Sequence, residues 1–196
     1  MNLILASGSP RRREILSCLG VSFTIRTADT DESCDISDPG ARVEAIAEKK
    51  CAAVAELLAS EAGGKLPEDT MVLASDTLVS VDGEFLGKPV DADDARRMVG
   101  MLAGRAHEVS SGIAICYRGR TVTAHEITRV YFAPMTDEDI ERYVETGESF
   151  GKAGGYAIQG HAARYISRIE GDYFNVVGLP VRRLCETLER EFGVRI

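Results

Sequence analysis

The sequence predicts an α/β protein, and three observations carry that reading. The chain opens as strand, tight loop and helix, at Leu3-Ile4-Leu5-Ala6-Ser7-Gly8-Ser9-Pro10-Arg11-Arg12-Arg13. Apolar strand-like runs then alternate with amphipathic helical patterns down the chain. Residues 107–117 and 121–132 read as two long strands joined at Arg118-Gly119-Arg120, an antiparallel pair.

In the opening stretch, residues 3–6 form a short apolar run bounded by Ser-Gly-Ser, Ser9 suits an N-cap, and Pro10 fits a first helical turn. Backbone N–H groups are therefore offered above the loop. The arginines oppose the helix dipole there and so want an anion nearby, as a phosphate chain would supply. The competing reading is an ordinary turn with solvated arginines.

After Gly20, a C-cap, residues 21–26 read as a second strand and 27–39 as an acidic polar loop. Asp38-Pro39 opens a helix to about residue 60, with Val43, Ile46, Ala47, Val54, Leu57 and Leu58 on one face. Lys50 falls near the middle of that face, whereas Lys49 points away. A lysine there needs an anionic partner or must snorkel to solvent.

Residues 61–70 form a turn, and 71–81 a buried strand interrupted by Ser75-Asp76-Thr77. A carboxylate in an apolar run is costly unless it is paired or binds a metal, which makes Asp76 the best catalytic candidate. An Asp at a turn or strand end is the alternative. Asp82-Gly83 turns the chain back through residues 84–86 into Gly87-Lys88-Pro89, returning Lys88 toward the strand of Asp76 or leaving it as a solvated loop lysine.

Residues 91–102 form an amphipathic helix, and Thr136 starts another that runs to about residue 146. Residues 151–160 are a glycine-rich, ligand-facing loop. Residues 165–169 read as a strand, 170–177 as a loop, and Gly178-Leu179-Pro180 begins a terminal helix ending near Gly193.

With 196 residues, 44% hydrophobic and 28% charged, the composition is that of a soluble protein of one large or two closely joined domains. A net charge of -8 argues against a nucleic-acid partner, which needs basic stripes. Cys18, Cys34, Cys51, Cys116 and Cys185 are scattered, without a C-x-x-C pair, and read as reduced structural thiols. Neither a signal-peptide pattern nor a membrane-length apolar run occurs, so no membrane partner and a cytoplasmic location are expected.

His107, His125 and His161 lack H-E-x-x-H spacing, and neither a G-x-S-x-G elbow nor a Walker loop occurs. The 151–160 segment does not follow a strand and open a helix, as a dinucleotide fingerprint requires. What remains is a set of cations (Arg11, Arg12, Lys50, Lys88) and carboxylates (Glu32, Asp76), with no obvious covalent nucleophile. That inventory fits metal-assisted polyphosphate hydrolysis, in which carboxylates hold a hard cation, cations offset phosphoryl charge, and one carboxylate activates water.

Several motifs occur together: Leu5-Ala6-Ser7-Gly8-Ser9-Pro10-Arg11-Arg12, Ile46-Ala47-x-x-Lys50, Ser75-Asp76-Thr77, Gly87-Lys88-Pro89, Lys152-Ala153-Gly154-Gly155-Tyr156-Ala157-Ile158-Gln159-Gly160 and Val177-Gly178-Leu179-Pro180. In this order, over residues 3 to 192, the chain resembles the Maf family of nucleoside triphosphate pyrophosphatases. The resemblance implies one domain over 1–196 without an independent linker. Its fold would be a mixed twisted sheet with flanking helices, two lobes around a cleft, similar to the inosine triphosphatase type.

The resemblance also implies hydrolysis of the α–β phosphate bond of dTTP or UTP, with modified pyrimidine nucleotides as further candidates. Water would be the nucleophile, with Mg²⁺ or Mn²⁺ as cofactor. By position, Ser7, Ser9, Arg11, Arg12 and Thr77 would bind substrate, while Glu32, Lys50, Asp76 and Lys88 would form the catalytic centre. Asp76 would be the metal-linked general base and Glu32 the second metal ligand. The Tyr156-Ala157-Ile158-Gln159-Gly160 form is similar to the branch acting on dTTP and UTP rather than on 7-methyl-GTP, and Gln159 would read the base edge, since an amide both donates and accepts. Ser75 departs from the Gly or Ala common there, Cys51 from an Ala, and Ser110-Ser111-Gly112 from a Thr-Gly. Arg13 has no motif position and is expected in solvent. The same likeness admits a non-catalytic nucleotide-binding regulator of cell division or septum formation, and a homodimer.

Overall fold

The sheet is built around β3, Thr70–Val81, which is buried from residue 70 to residue 75 and emerges at Asp76. The computed structural model describes all residues, 1–196. On β3 lies β1 (Asn2–Leu5), parallel, with Leu3 opposite Met71 and Leu5 opposite Leu73. Beyond it, β2 (Thr24–Ile25) pairs in parallel with β1. With β4 (Glu84–Leu86), β5 (Ala106–Tyr117), β6 (Arg120–Phe132) and β7 (Ile166–Glu170), the order is β2-β1-β3-β5-β6-β7, and β4 pairs with β3. Parallel and antiparallel pairs both occur, so the fold is the expected mixed α/β sheet with flanking helices.

Two compact units divide the chain. Met1–Asp76, Ser111–Glu126 and Gly178–Ile196 form the first, and Thr77–Ser110 with Ile127–Val177 form the second.

The first unit holds α1 (Pro10–Cys18), α2 (Pro39–Glu61) and, near the C-terminus, the helix Val181–Phe192. The Asp38 side chain accepts the Ala41 amide at 2.7 Å, and Pro39 occupies the first turn, so α2 starts where its sequence dictates. Ala47, Cys51 and Val54 then pack on Ile4, Ala6, Val72, Ala74 and Ala114 of the sheet. Gly112 makes this approach feasible, because a Cβ there would lie 2.5 Å from the Val43 backbone.

In the second unit, β3 turns into β4 through Asp82 and Gly83, both at positive φ (50° and 82°). Helix α3 (Ala92–Leu102) is capped by Asp91, and α4 (Asp137–Glu145) by a reciprocal Thr136–Asp139 box. Val79, Leu86, Met98, Leu102, Phe132, Tyr143 and Tyr156 share the apolar core. Buried among them, His107 shares a 2.8 Å hydrogen bond with the Tyr156 hydroxyl through Nε2.

Some local expectations change. The 21–26 strand shrinks to Thr24–Ile25, exposed residues whose only strand partner is β1. Ser75-Asp76-Thr77 does not interrupt β3: the backbone stays extended, and Asp76 opens a half-buried stretch, 76–78, before burial resumes at Val79. Residues 153–155 and 161–165 form short 3-10 turns. The expected 170–177 loop contains α5 (Tyr173–Val177), initiated as the Asp172 carboxylate accepts the Phe174 amide at 2.7 Å. The C-terminal helix, α6, ends in left-handed Gly193 as expected. No helix is long and apolar enough to cross a membrane.

Burial pushes the His107 imidazole down to about 4 from an ordinary 6.5. The unfolded chain therefore takes up a proton that the folded chain refuses, so this group's stability is complete above pH 6.5 and is lost as pH falls toward 4. The loss is on the order of 3 kcal/mol over that window. Urea melts of the wild type and His107→Gln, compared at neutral pH and near pH 5, should show a shallower pH slope for the variant; identical slopes would contradict the assignment.

Candidate active site

The loop between β1 and α1 is organised by Ser7. Its Oγ accepts hydrogen bonds from the Ser9 amide at 3.3 Å and from Arg12 Nη1 at 3.0 Å. Ser9 holds the N-cap position with extended backbone, but its side chain makes no capping bond, contrary to the usual role of a serine there. Pro10, at the start of the helix, removes one N–H from its first turn.

Arg12 is anchored on its other edge as well. Its Nε donates to the Gly178 carbonyl at 2.8 Å, and the Ser75 hydroxyl donates to the same oxygen at 3.1 Å. Burial pushes the Arg12 guanidinium down to about 10, with Asp76 and Glu32 opposing that shift and Arg11 adding to it. It remains a cation at neutral pH. Arg11 is lowered too, first by burial and against the nearby Glu14 carboxylate, while Arg13 is exposed.

Lys50, on the inner side of α2, resolves its sequence ambiguity through anionic partners. Its Nζ lies 2.7 Å from Asp76 Oδ1 and 3.1 Å from Glu32 Oε1. The side chains of Lys50 and Asp76 are 17% and 14% exposed, so the pair is largely shielded, whereas Glu32 is 51% exposed and stands at the mouth of the group. The loop carrying Glu32 is tied down from α2: Lys49 donates to the Ser33 carbonyl at 2.6 Å and Arg42 to the Cys34 and Ile36 carbonyls. Asp31 stiffens it further by accepting the Ser33 hydroxyl and amide, bonds that hold its carboxyl below the usual range. Sequence periodicity marked Lys49 only as pointing away from the apolar face, so this role was missed.

Within the first unit the structure thus joins Ser7, Arg12, Glu32, Lys50 and Asp76, with Arg11 and Ser9 on the same loop and helix. Arg12 and Lys50 stand with the Glu32 and Asp76 carboxylates, and Arg11 is near Glu14 on the same helix. No group of three or more His, Cys, Asp or Glu side chains is placed to hold a metal ion by itself. The hard-oxygen pair Glu32 and Asp76 nevertheless fits Mg²⁺, which is commonly held by one or two carboxylates with substrate phosphates completing its shell.

Thr77, Lys88 and Gln159 belong to the second unit. Lys88 is exposed in a loop whose Gly87 carbonyl accepts the Gly154 amide at 3.0 Å, tying two sequence motifs together. Gln159 is exposed on the turn that follows buried Tyr156. Glu148, absent from the candidates, secures the end of that turn: its carboxylate accepts the His161 amide at 2.7 Å, the Ala162 amide at 3.2 Å and the Tyr143 hydroxyl at 2.9 Å. Desolvation raises its pKa, but these bonds outweigh it and leave the carboxyl lowered. A Cβ on Gly160 would lie 1.8 Å from Glu148 Oε2, so the glycine at 160 is the one sequence trace of this seat.

The family model described as "Maf-like protein" matches residues 2–191. A protein named dTTP/UTP pyrophosphatase from Symbiobacterium thermophilum is 46% identical over 195 residues, covering 99% of this chain and 95% of that one. One of the same name from Caldanaerobacter subterraneus subsp. tengcongensis is 44% identical over 197 residues, covering 100% and 91%. Among solved structures, the Staphylococcus aureus Ham1 protein is similar with a TM-score of 0.47 and 14% identity, covering 68% of this chain and 72% of that one.

Lys50→Met leaves the shielded Asp76 carboxylate without its ammonium and should destabilise the protein by about 1–3 kcal/mol, whereas Asp76→Leu leaves Lys50 with only the half-exposed Glu32 and should cost less. The double variant should recover part of that loss, giving a coupling of about 1–2 kcal/mol in urea melts. Strict additivity would contradict the pairing.

Proposed function

The chain belongs to the Maf family, and on that premise we propose that it hydrolyses dTTP and UTP between the α and β phosphates, releasing a nucleoside monophosphate and pyrophosphate. The observation that carries this reading is the shielded Lys50 ammonium shared by Asp76 and Glu32, with the anchored Arg12 guanidinium in the same unit.

The chemistry follows from those residues. Ser7 Oγ already accepts two donors, so its own O–H is left to donate to a phosphate oxygen. Arg11 and Arg12 supply fixed positive charge to the phosphate chain. Asp76 takes a proton from the attacking water. As the water oxygen bonds to the α-phosphorus, the bond to the bridging oxygen breaks and its electron pair leaves with pyrophosphate. Lys50 orients the Asp76 carboxylate through Oδ1 and provides further positive charge. Glu32 and Asp76 are the residues that would hold Mg²⁺ or Mn²⁺, which supplies charge neutralisation at phosphoryl oxygens and acidifies bound water. The Gln159 amide matches the imide edge of thymine or uracil, a role supported by the 156–160 motif, and the same family likeness assigns Lys88 to phosphate charge.

Incubated with Mg²⁺ and a panel of dTTP, UTP, CTP and 7-methyl-GTP, the protein should release pyrophosphate fastest from dTTP and UTP. Orthophosphate release would overturn the bond assignment, and tight dTTP binding without turnover in Mg²⁺ or Mn²⁺ would favour a regulatory protein. Asp76→Asn should lower kcat by about 10²- to 10⁴-fold with the fold intact; an unchanged rate would remove Asp76 from the mechanism. Chelation by EDTA should abolish turnover and added Mg²⁺ restore it.

A further inference from the structure

We infer that Ser75 is a positioning residue for Arg12, acting through the carbonyl of Gly178, and that it sets the affinity of this site for a polyphosphate. The inference rests on the proposed phosphate-binding role of Arg12.

Three observations meet at one oxygen. The Gly178 carbonyl accepts Arg12 Nε at 2.8 Å and the Ser75 hydroxyl at 3.1 Å, and contacts between chain positions this far apart come only from the fold. Gly178 has φ 124°, a conformation L side chains rarely adopt, and it precedes Leu179, which is fully buried. Ser75 is itself fully buried on β3, so its hydroxyl has no water to turn to.

The geometry divides the work. A carbonyl oxygen has two lone pairs, and with only the guanidinium bonded to it the peptide at Gly178 could rotate about its soft glycine dihedrals. The Ser75 hydroxyl fills the second lone pair from a rigid central strand and fixes the carbonyl direction. Arg12 is then held along one edge by Gly178 and at Nη1 by Ser7, which leaves the planar fork a single orientation. Ser75 sits next to Asp76, but successive strand side chains point to opposite faces: Ser75 serves the Gly178 side and Asp76 bonds Lys50. One strand therefore orients a phosphate-binding cation and a proton acceptor by adjacent residues.

Binding of inorganic tripolyphosphate with Mg²⁺, measured by calorimetry, tests the inference independently of turnover. Loss of one neutral hydrogen bond behind the guanidinium should weaken binding by about three- to tenfold in Ser75→Ala, with Ser75→Cys, a weaker donor, in between. Steady-state kinetics with dTTP should show the same rise in KM and kcat within about twofold, the split expected when an interaction common to ground and transition states is lost. In an Arg12→Met background, Ser75→Ala should have no further effect. Melting curves identify any variant that fails to fold, and Ser75→Cys, nearly isosteric, then carries the comparison. Unchanged tripolyphosphate affinity in folded Ser75→Ala, additive losses in the double variant, or a fall in kcat with KM unchanged would each overturn the inference. If the wild type binds tripolyphosphate and shows this graded loss without hydrolysing dTTP, the positioning stands and the proposed activity fails.

Discussion

A lysine ammonium held between two carboxylates is the constraint on which the rest of the site depends. Lys50 is brought there by α2, Asp76 by the central strand, and Glu32 by a loop with no regular structure of its own. Removing Lys50 and Asp76 from water costs several kcal/mol per ion before their attraction is counted, so such a pair is weak support for stability. What it fixes is geometry. The helix must lie close enough to the sheet for the Lys50 stem to reach Asp76, and that approach depends on the absence of a side chain at Gly112.

Anchoring of the same kind recurs around Arg12. The planar guanidinium is more weakly hydrated than an ammonium and so tolerates shielding, and a backbone carbonyl, Gly178, and a hydroxyl, Ser7, hold it still. A preorganised cation loses little freedom when an anion arrives, which favours electrostatic stabilisation over flexible capture. Lys49 and Arg42 give the Glu32 loop comparable restraint through its carbonyls.

Those parts of the site whose chemistry is local were legible in the sequence. The strand, serine-glycine turn and proline-led helix are written in consecutive residues, and Lys50 and Asp76 stood out because each is a charge in an apolar pattern. The exposed Gln159 carried no such signal and became a candidate through motif likeness alone, whereas Lys88 was also suggested by the hairpin that turns it back toward the Asp76 strand. What stayed hidden is long-range or depends on backbone: the bond from Ser75 to Gly178, the bond from Arg12 to the same carbonyl, and the seat of Glu148 beneath Gly160. Ser9 shows a subtler failure, since its propensity for capping is real but Ser7 takes its amide and no capping bond forms. In the fold, β2 and α5 were misjudged where strength comes from neighbours, an edge pairing in one case and the Asp172 side chain in the other.

The central claim is that the first unit directs water to the α-phosphorus and expels pyrophosphate. Turnover of dTTP in ¹⁸O-labelled water, followed by mass spectrometry of both products, tests it most directly. One labelled oxygen should appear in the nucleoside monophosphate and none in pyrophosphate. Label in pyrophosphate would place the attack on the β-phosphorus, and label in orthophosphate would place it on the γ-phosphorus; either would contradict the account.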